Sequence, residues 1–157
     1  MSIAPIVRTV ETQAPPARAF DIFTSRMAEW WPRGKTIGRT PHAAVVMEPH
    51  VGGRWFEVDA AGQETLWGDV LAWEPPRRLV LAWRINQNWT YDPAFLTEVE
   101  MTFAPLDGGG TRVTLEHRDL ERFGADAAAH AASLNSGWPG LLDAFARLAD
   151  AETPRNV

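Results

Sequence analysis

Two ionisable side chains stand where the surrounding pattern calls for apolar ones: Glu57 in "RWFEV" (54–58) and His117 in "TRVTLEH" (111–117). Both segments alternate, so Trp55 and Glu57 share one face of an extended strand, while Val113, Leu115 and His117 share one face of another. A carboxylate turned inward costs several kcal/mol unless it is paired or wetted. A carboxylate and an imidazole approaching across one interior could exchange protons with a bound molecule, which is general acid–base chemistry. They could equally orient a ligand hydroxyl or carbonyl without reaction. Such a pair favours the charged form of His117 with Glu57 as counter-ion, although burial opposes both charges. The plainer alternatives are a histidine held by one or two hydrogen bonds and a salt bridge from Glu57 to Arg54, Arg84 or Lys35.

Other chemistries find no foothold. His42, His50 and His130 fall in loops or on a helix surface with no carboxylate at metal-ligand spacing. The glycine run "DGGGTR" joins two strands and lacks the helix and lysine of a phosphate loop. No Ser-His-Asp arrangement is suggested, and with no cysteines there is neither a disulfide framework nor a thiolate metal site. No metal or other cofactor is therefore expected. Fifteen Lys and Arg against 20 Asp and Glu leave a net charge of -5, which argues against a nucleic-acid or anionic-membrane surface. No apolar run approaches the ~20 residues of a membrane span. The first residues also lack the basic-then-apolar order of a secretion signal, so the cytoplasm is the expected compartment.

The elements that must position these residues are legible in the 157-residue chain. "IVRTVET" reads as a first strand, and "QAPP" prepares a helix start. Ala19, Phe20, Phe23 and Met27 recur at helical spacing up to Trp30 and Trp31, where Pro32 ends the helical stretch. After the polar loop "RGKTIGRTPH" come six further strands: "AAVVME", "RWFEV", "TLWGDVLAW", "RLVLAWRI", "TEVEMTFA" and "TRVTLEH". Leu134, Trp138, Leu141, Leu142, Phe145 and Leu148 then form the apolar stripe of a long C-terminal helix. Pro139 either kinks this helix or marks its effective start.

Turn chemistry predicts register. With "AAGQ" and "EPPR" as loops, Gly68 lies opposite Trp83 and Val70 opposite Leu81. The inner face then carries Leu66, Gly68, Val70, Ala72, Leu79, Leu81, Trp83 and Ile85, with Trp55 and Glu57 from the neighbouring strand. Gly68 makes room for the indole of Trp83. Trp67, Leu71 and Trp73 fall on the other face. In the hairpin around "DGG", Phe103 pairs with Val113, Met101 with Leu115 and Val99 with His117. Glu98, Glu100, Arg112, Thr114 and Glu116 face solvent.

The segments "GGRWFE", "WGDVLAWEPPRRLVLAWRIN", "EVEMTF", "TRVTLEHR" and "SGWPGLLDAF" together resemble the START-like (SRPBCC) superfamily. The branch is the one related to the activator of the ninety-kilodalton heat-shock protein ATPase, and the likeness runs from about Ile6 to Ala149. It implies an α+β helix-grip fold: a seven-stranded bent antiparallel sheet around a long C-terminal helix, with two short helices after the first strand. The expected organisation is one START-like ligand-binding domain over 1–150 and a tail over 151–157.

Members of that superfamily bind lipids, hormones or polyketides, and some cyclise or dehydrate them. The first functional expectation is therefore a small hydrophobic ligand, lipid-like or aromatic, held in a cavity between the sheet and the last helix. The residues expected around it are Trp55, Glu57, Trp83, Trp89, Met101, His117, Trp138 and Leu142, with "NQNWTYDPAF" as rim. A second expectation is a polyketide cyclase or dehydratase working on the same cavity. A third is a protein-interaction or homodimer module presenting exposed aromatics such as Trp67 and Trp73.

Overall fold

Proline sets the first boundary in the chain. Strand β1 (Ile6–Thr12) stops short of Pro15, whose extended backbone leads into helix α1 (Pro16–Ser25), with Pro16 in the first turn where its missing N–H is harmless. Helix α2 (Met27–Trp30) follows as a separate single turn and ends before Pro32, so two short helices follow β1 as expected. The computed structural model describes residues 3–38 and 40–153; the predicted tail at 151–157 lies outside the described residues from 154 onward.

Six strands come next: β2 (His42–Met47), β3 (Arg54–Asp59), β4 (Glu64–Glu74), β5 (Arg78–Trp83), β6 (Thr97–Pro105) and β7 (Thr111–Arg118). They form one antiparallel sheet in the order β1-β7-β6-β5-β4-β3-β2. A 3₁₀ turn (Leu120–Phe123) leads to helix α3 (Ala127–Ala151), which lies in the curled sheet and buries Leu134, Trp138, Leu141, Leu142 and Phe145. This is the α+β helix-grip architecture the resemblance implies. Buried Leu79, Leu81, Trp83, Val99, Met101, Phe103, Val113 and Leu115 supply the inner face. The outer face is solvated and ionic: Arg118 reaches Glu98 at 2.8 Å and Glu100 at 2.6 Å, and Glu100 also meets Arg78 at 2.5 Å.

The β6–β7 hairpin keeps the expected register, with Phe103↔Val113, Met101↔Leu115 and Val99↔His117. The middle of β4 also agrees, pairing Gly68 with Trp83 and Val70 with Leu81. On either side the pattern slips by one. Glu74 pairs with Arg78 across a three-residue turn, and the difference is absorbed by a bulge at Leu71. Toward β3 the turn is again one residue shorter than expected, and a bulge at Trp67 separates Trp55↔Gly68 from Phe56↔Leu66. Each bulge inserts a residue and reverses the faces beyond it. Trp67 and Trp73 therefore point inward, and Leu66 and Ala72 leave the inner set. Trp67 is buried and Trp73 packs its ring 5.0 Å from Phe20, so neither is an exposed aromatic for a partner.

Gly68 is required for a different reason from the expected one. A Cβ there would stand 1.7 Å from the carbonyl oxygen of Ala82, so it is the neighbouring backbone, not the Trp83 ring, that fills the space.

Pro139 lies inside α3 and neither starts nor ends it. Lacking an N–H, it leaves the carbonyl of Asn135 without its helical donor. Arg8 of β1 supplies one: its Nη2 reaches that oxygen at 3.5 Å while its Nε donates to the Asn135 side-chain oxygen at 3.0 Å.

Candidate functional site

A pocket of about 260 Å³ opens between the loop after α2, the β4–β5 strands, the 86–95 loop and α3. Helix α3 contributes Ser133, Leu134, Gly137, Trp138 and Leu141, residues that recur at helical spacing on one face. The two β4–β5 strands contribute Trp67 and Trp83. The bulge at Trp67 is what brings its ring inside. Trp31, placed at the end of α2 by the following proline, closes a further side.

The ring centroids of Trp31 and Trp67 are 5.0 Å apart, those of Trp83 and Trp138 5.8 Å, and those of Trp31 and Trp138 6.2 Å. Each wall indole has its N–H engaged inside the protein. Trp31 donates to the Lys35 carbonyl (2.8 Å), Trp67 to Glu57 Oε1 (2.7 Å), Trp83 to the Ile85 carbonyl (3.0 Å) and Trp138 to His117 Nδ1 (3.2 Å). The pocket is thus offered the carbon surface of four indoles and almost none of their polarity.

At the rim, Trp89 is 46% exposed and adopts a left-handed backbone (φ 56). Asn86 holds the turn, its side-chain oxygen accepting from the N–H of Asn88 (2.9 Å) and Thr90 (3.2 Å). Trp89 stacks on His130 at 4.7 Å, and His130 in turn lies 4.1 Å from Phe123. His130 and His42 are buried, which corrects their expected loop or surface positions. Among the described residues no three His, Asp or Glu side chains are grouped as a metal site.

Glu57 is buried and faces inward, and among the described residues it has no cationic partner. Its carboxylate accepts from the backbone N–H of Ile37 (2.8 Å) and Gly38 (3.2 Å), from the Trp67 indole and from the Thr36 hydroxyl. The anticipated salt bridges do not form: Arg54 pairs with Glu48 and Glu64, and Arg84 with Asp69. Glu57 is a clamp that ties the 36–38 loop to the sheet and so fixes one wall of the pocket.

His117 is fully buried and also faces inward, but no hydrogen bond joins it to Glu57. From Trp67, the ring bonded to Glu57, ring-to-ring paths to His117 run through Trp55 and Trp83 and through Trp31 and Trp138. An indole N–H can only donate, so Nδ1 of His117 is the acceptor for Trp138, and Nε2 carries the proton toward Thr97 Oγ1 at 2.8 Å. Burial, reinforced by the charge of His130, pushes the imidazole down to about 3. His117 is therefore neutral near pH 7, not the cation a Glu57 pair would favour.

Of the residues expected around a ligand, Trp83, Trp89 and Trp138 line the pocket. Trp55, Glu57 and His117 stand behind that wall, with the Trp55 N–H 3.3 Å from Met27 Sδ, and Met101 and Leu142 belong to the core. Sequence reasoning missed Trp31, Lys35, Trp67 and Gly137. The helical stripe already pointed to Leu134 and Leu141, but Trp67 depended on a bulge that alternation cannot show.

Solved structures of known proteins share this fold. A solved structure described as an anthrahydroquino-gamma-pyrone synthase, Txn09, complexed with SUM, is 38% identical over 94% of this chain and 97% of its own, with a TM-score of 0.67. The solution structure of CalC, a self-sacrificing resistance protein from Micromonospora echinospora, is 29% identical over 98% of both chains, with a TM-score of 0.74. The Aha1 dimer from Colwellia psychrerythraea, 13% identical over 97% of this chain and 100% of its own with a TM-score of 0.67, shares the fold. A comparison with curated proteins returns no match. The model of the "Activator of Hsp90 ATPase homolog 1-like protein" family matches residues 13–150, and the chain belongs to that family.

Proposed function

We propose that this protein binds a flat aromatic, polyketide-like small molecule in the pocket between sheet and α3. Trp31, Trp67, Trp83 and Trp138 lie against its rings, and Trp89 closes the rim. Trp55, Glu57, Met101, His117 and Leu142 hold those side chains in place from behind. The observation that carries the reading is the engagement of all four wall indoles: with their N–H groups bonded internally, they select for ring surface and against polar ligands. The volume of about 260 Å³ sits near the lower end of ligand pockets, roughly 300–1,000 Å³. Native mass spectrometry of the protein purified from its own host tests this. A co-purified aromatic molecule supports it; a chain with nothing bound that also takes up no added polycyclic aromatic contradicts it.

A second reading, a ring-forming enzyme acting on a polyketide-like substrate, is favoured by the 38% identity to a protein described as a synthase. Glu57 and His117 would then be structural members of the site, since their lone pairs and protons are already committed to neighbours. Recovery of a bound ligand after prolonged incubation separates the two readings. An unchanged molecule supports binding alone, and a cyclised one supports turnover.

A further inference from the structure

Among the described residues the pocket's lining contains one charged side chain, Lys35, and no acidic one. In a chain of net charge -5, a lone cation on an aromatic pocket is an unusual local field. Lys35 forms no ion pair among the described residues. The nearby carboxylate of Glu57 is taken up by Thr36, Ile37, Gly38 and Trp67 behind the wall.

The position of Lys35 is built. Its N–H bonds the Pro32 carbonyl at 3.0 Å, its own carbonyl accepts the Trp31 indole at 2.8 Å, and the next two residues are clamped by Glu57. The side chain crosses toward α3, where Nζ lies 3.8 Å from the point a Cβ on Gly137 would occupy; among the described residues nothing else outside the helix's own neighbouring backbone comes within 4 Å of that point. Ser133, exposed one helical turn before Gly137, adds a hydroxyl to the same mouth. A glycine in a helix interior costs up to about 1 kcal/mol relative to alanine. Here it leaves open the space between an ammonium group and an indole-walled floor.

We infer that the ligand carries an anionic oxygen group, a carboxylate or an ionised phenol, which pairs with Lys35 at the mouth while its rings lie among the indoles. This rests on the pocket reading proposed above and adds the charge of the ligand to it. The mouth excludes solvent only in part, so the pairing contributes selectivity on a modest scale and weakens with salt.

The test uses two isosteric probes, anthraquinone-2-carboxylate and anthraquinone-2-carboxamide, titrated into the wild-type protein and Lys35→Met with quenching of tryptophan fluorescence as readout. The expected result is a preference of about two- to fivefold for the carboxylate, reduced by added salt and abolished in K35M, with carboxamide affinity unchanged. Equal binding of both probes to the wild type overturns this inference and leaves the pocket reading standing. A carboxylate preference that survives in K35M overturns the assignment to Lys35. Failure of both probes to bind overturns the pocket reading, and this inference with it. Because Lys35 is exposed and forms no ion pair among the described residues, an unchanged melting curve for K35M confirms that the comparison is between folded proteins.

Discussion

Glu57 accepts four hydrogen bonds, three from N–H groups and one from a hydroxyl, so its worth depends on which atoms replace it. In Glu57→Gln the amide oxygen can keep the three N–H donors while the amide nitrogen donates to Thr36 Oγ1. A loss of only about 1–2 kcal/mol is expected. Glu57→Leu strands three donors and should cost about 3–5 kcal/mol and loosen the 36–38 loop. Denaturant titration of the two variants checks this; equal losses would remove the clamp role. His117 makes the other residue-scale prediction. Folded, its imidazole is held down to about 3, whereas unfolded it titrates near 6.5, so the unfolded chain binds the extra proton between those values. Stability is then complete above pH 6.5 and declines as pH falls toward 3. His130 is shifted the same way by burial. His117→Gln should flatten much of the slope of unfolding free energy between about pH 6.5 and 4.5, and an NMR titration of the wild type should show no protonation of His117 in that range.

At the scale of elements, β4 shows where alternation stops informing. The central register was legible because each flanking turn is one residue shorter than expected and a bulge between that turn and Gly68 restores the count. The faces of Trp67 and Trp73 were not, because a three-residue turn plus a bulge gives the same residue count as a four-residue turn without one. Gly68→Ala therefore tests the strand geometry itself: its methyl group would meet the Ala82 carbonyl, and a loss above ~3 kcal/mol is expected by thermal unfolding. A loss under ~1 kcal/mol would mean the strands do not approach as described. In α3 the sequence left the role of Pro139 open between kink and start, since the donor that serves the freed Asn135 carbonyl comes from Arg8, 127 positions before Asn135. Arg8→Met should destabilise the chain by about 1 kcal/mol in the wild type. The same substitution should cost less in a Pro139→Ala background, where the helix satisfies the Asn135 carbonyl and only the bond to the Asn135 side chain is lost. A double-mutant cycle measures this coupling, and additive effects would exclude it.

Across the whole molecule, a sheet ionic outside and apolar inside meets one amphipathic helix, and the site lies where the two fail to close completely. Strand order, helix order and the inward faces of β5, β6 and β7 could be read from periodicity because one buried face imposes it on every strand. The pocket could be read only in part. Trp83, Trp89 and Trp138 were expected there, but Lys35 reaches it on a loop whose next residues are held by hydrogen bonds to Glu57, information that no local pattern carries. Gly137 is the point at which pocket and fold separate, since its missing side chain serves the cavity while its helical backbone gains nothing from being glycine. The most direct measurement is a fluorescence titration of an anthraquinone carboxylate into wild type and Gly137→Phe, run beside thermal melts. Saturable quenching in the wild type, lost in a variant that melts no lower, is the predicted result; equal binding by both proteins would contradict a ligand site between the sheet and α3.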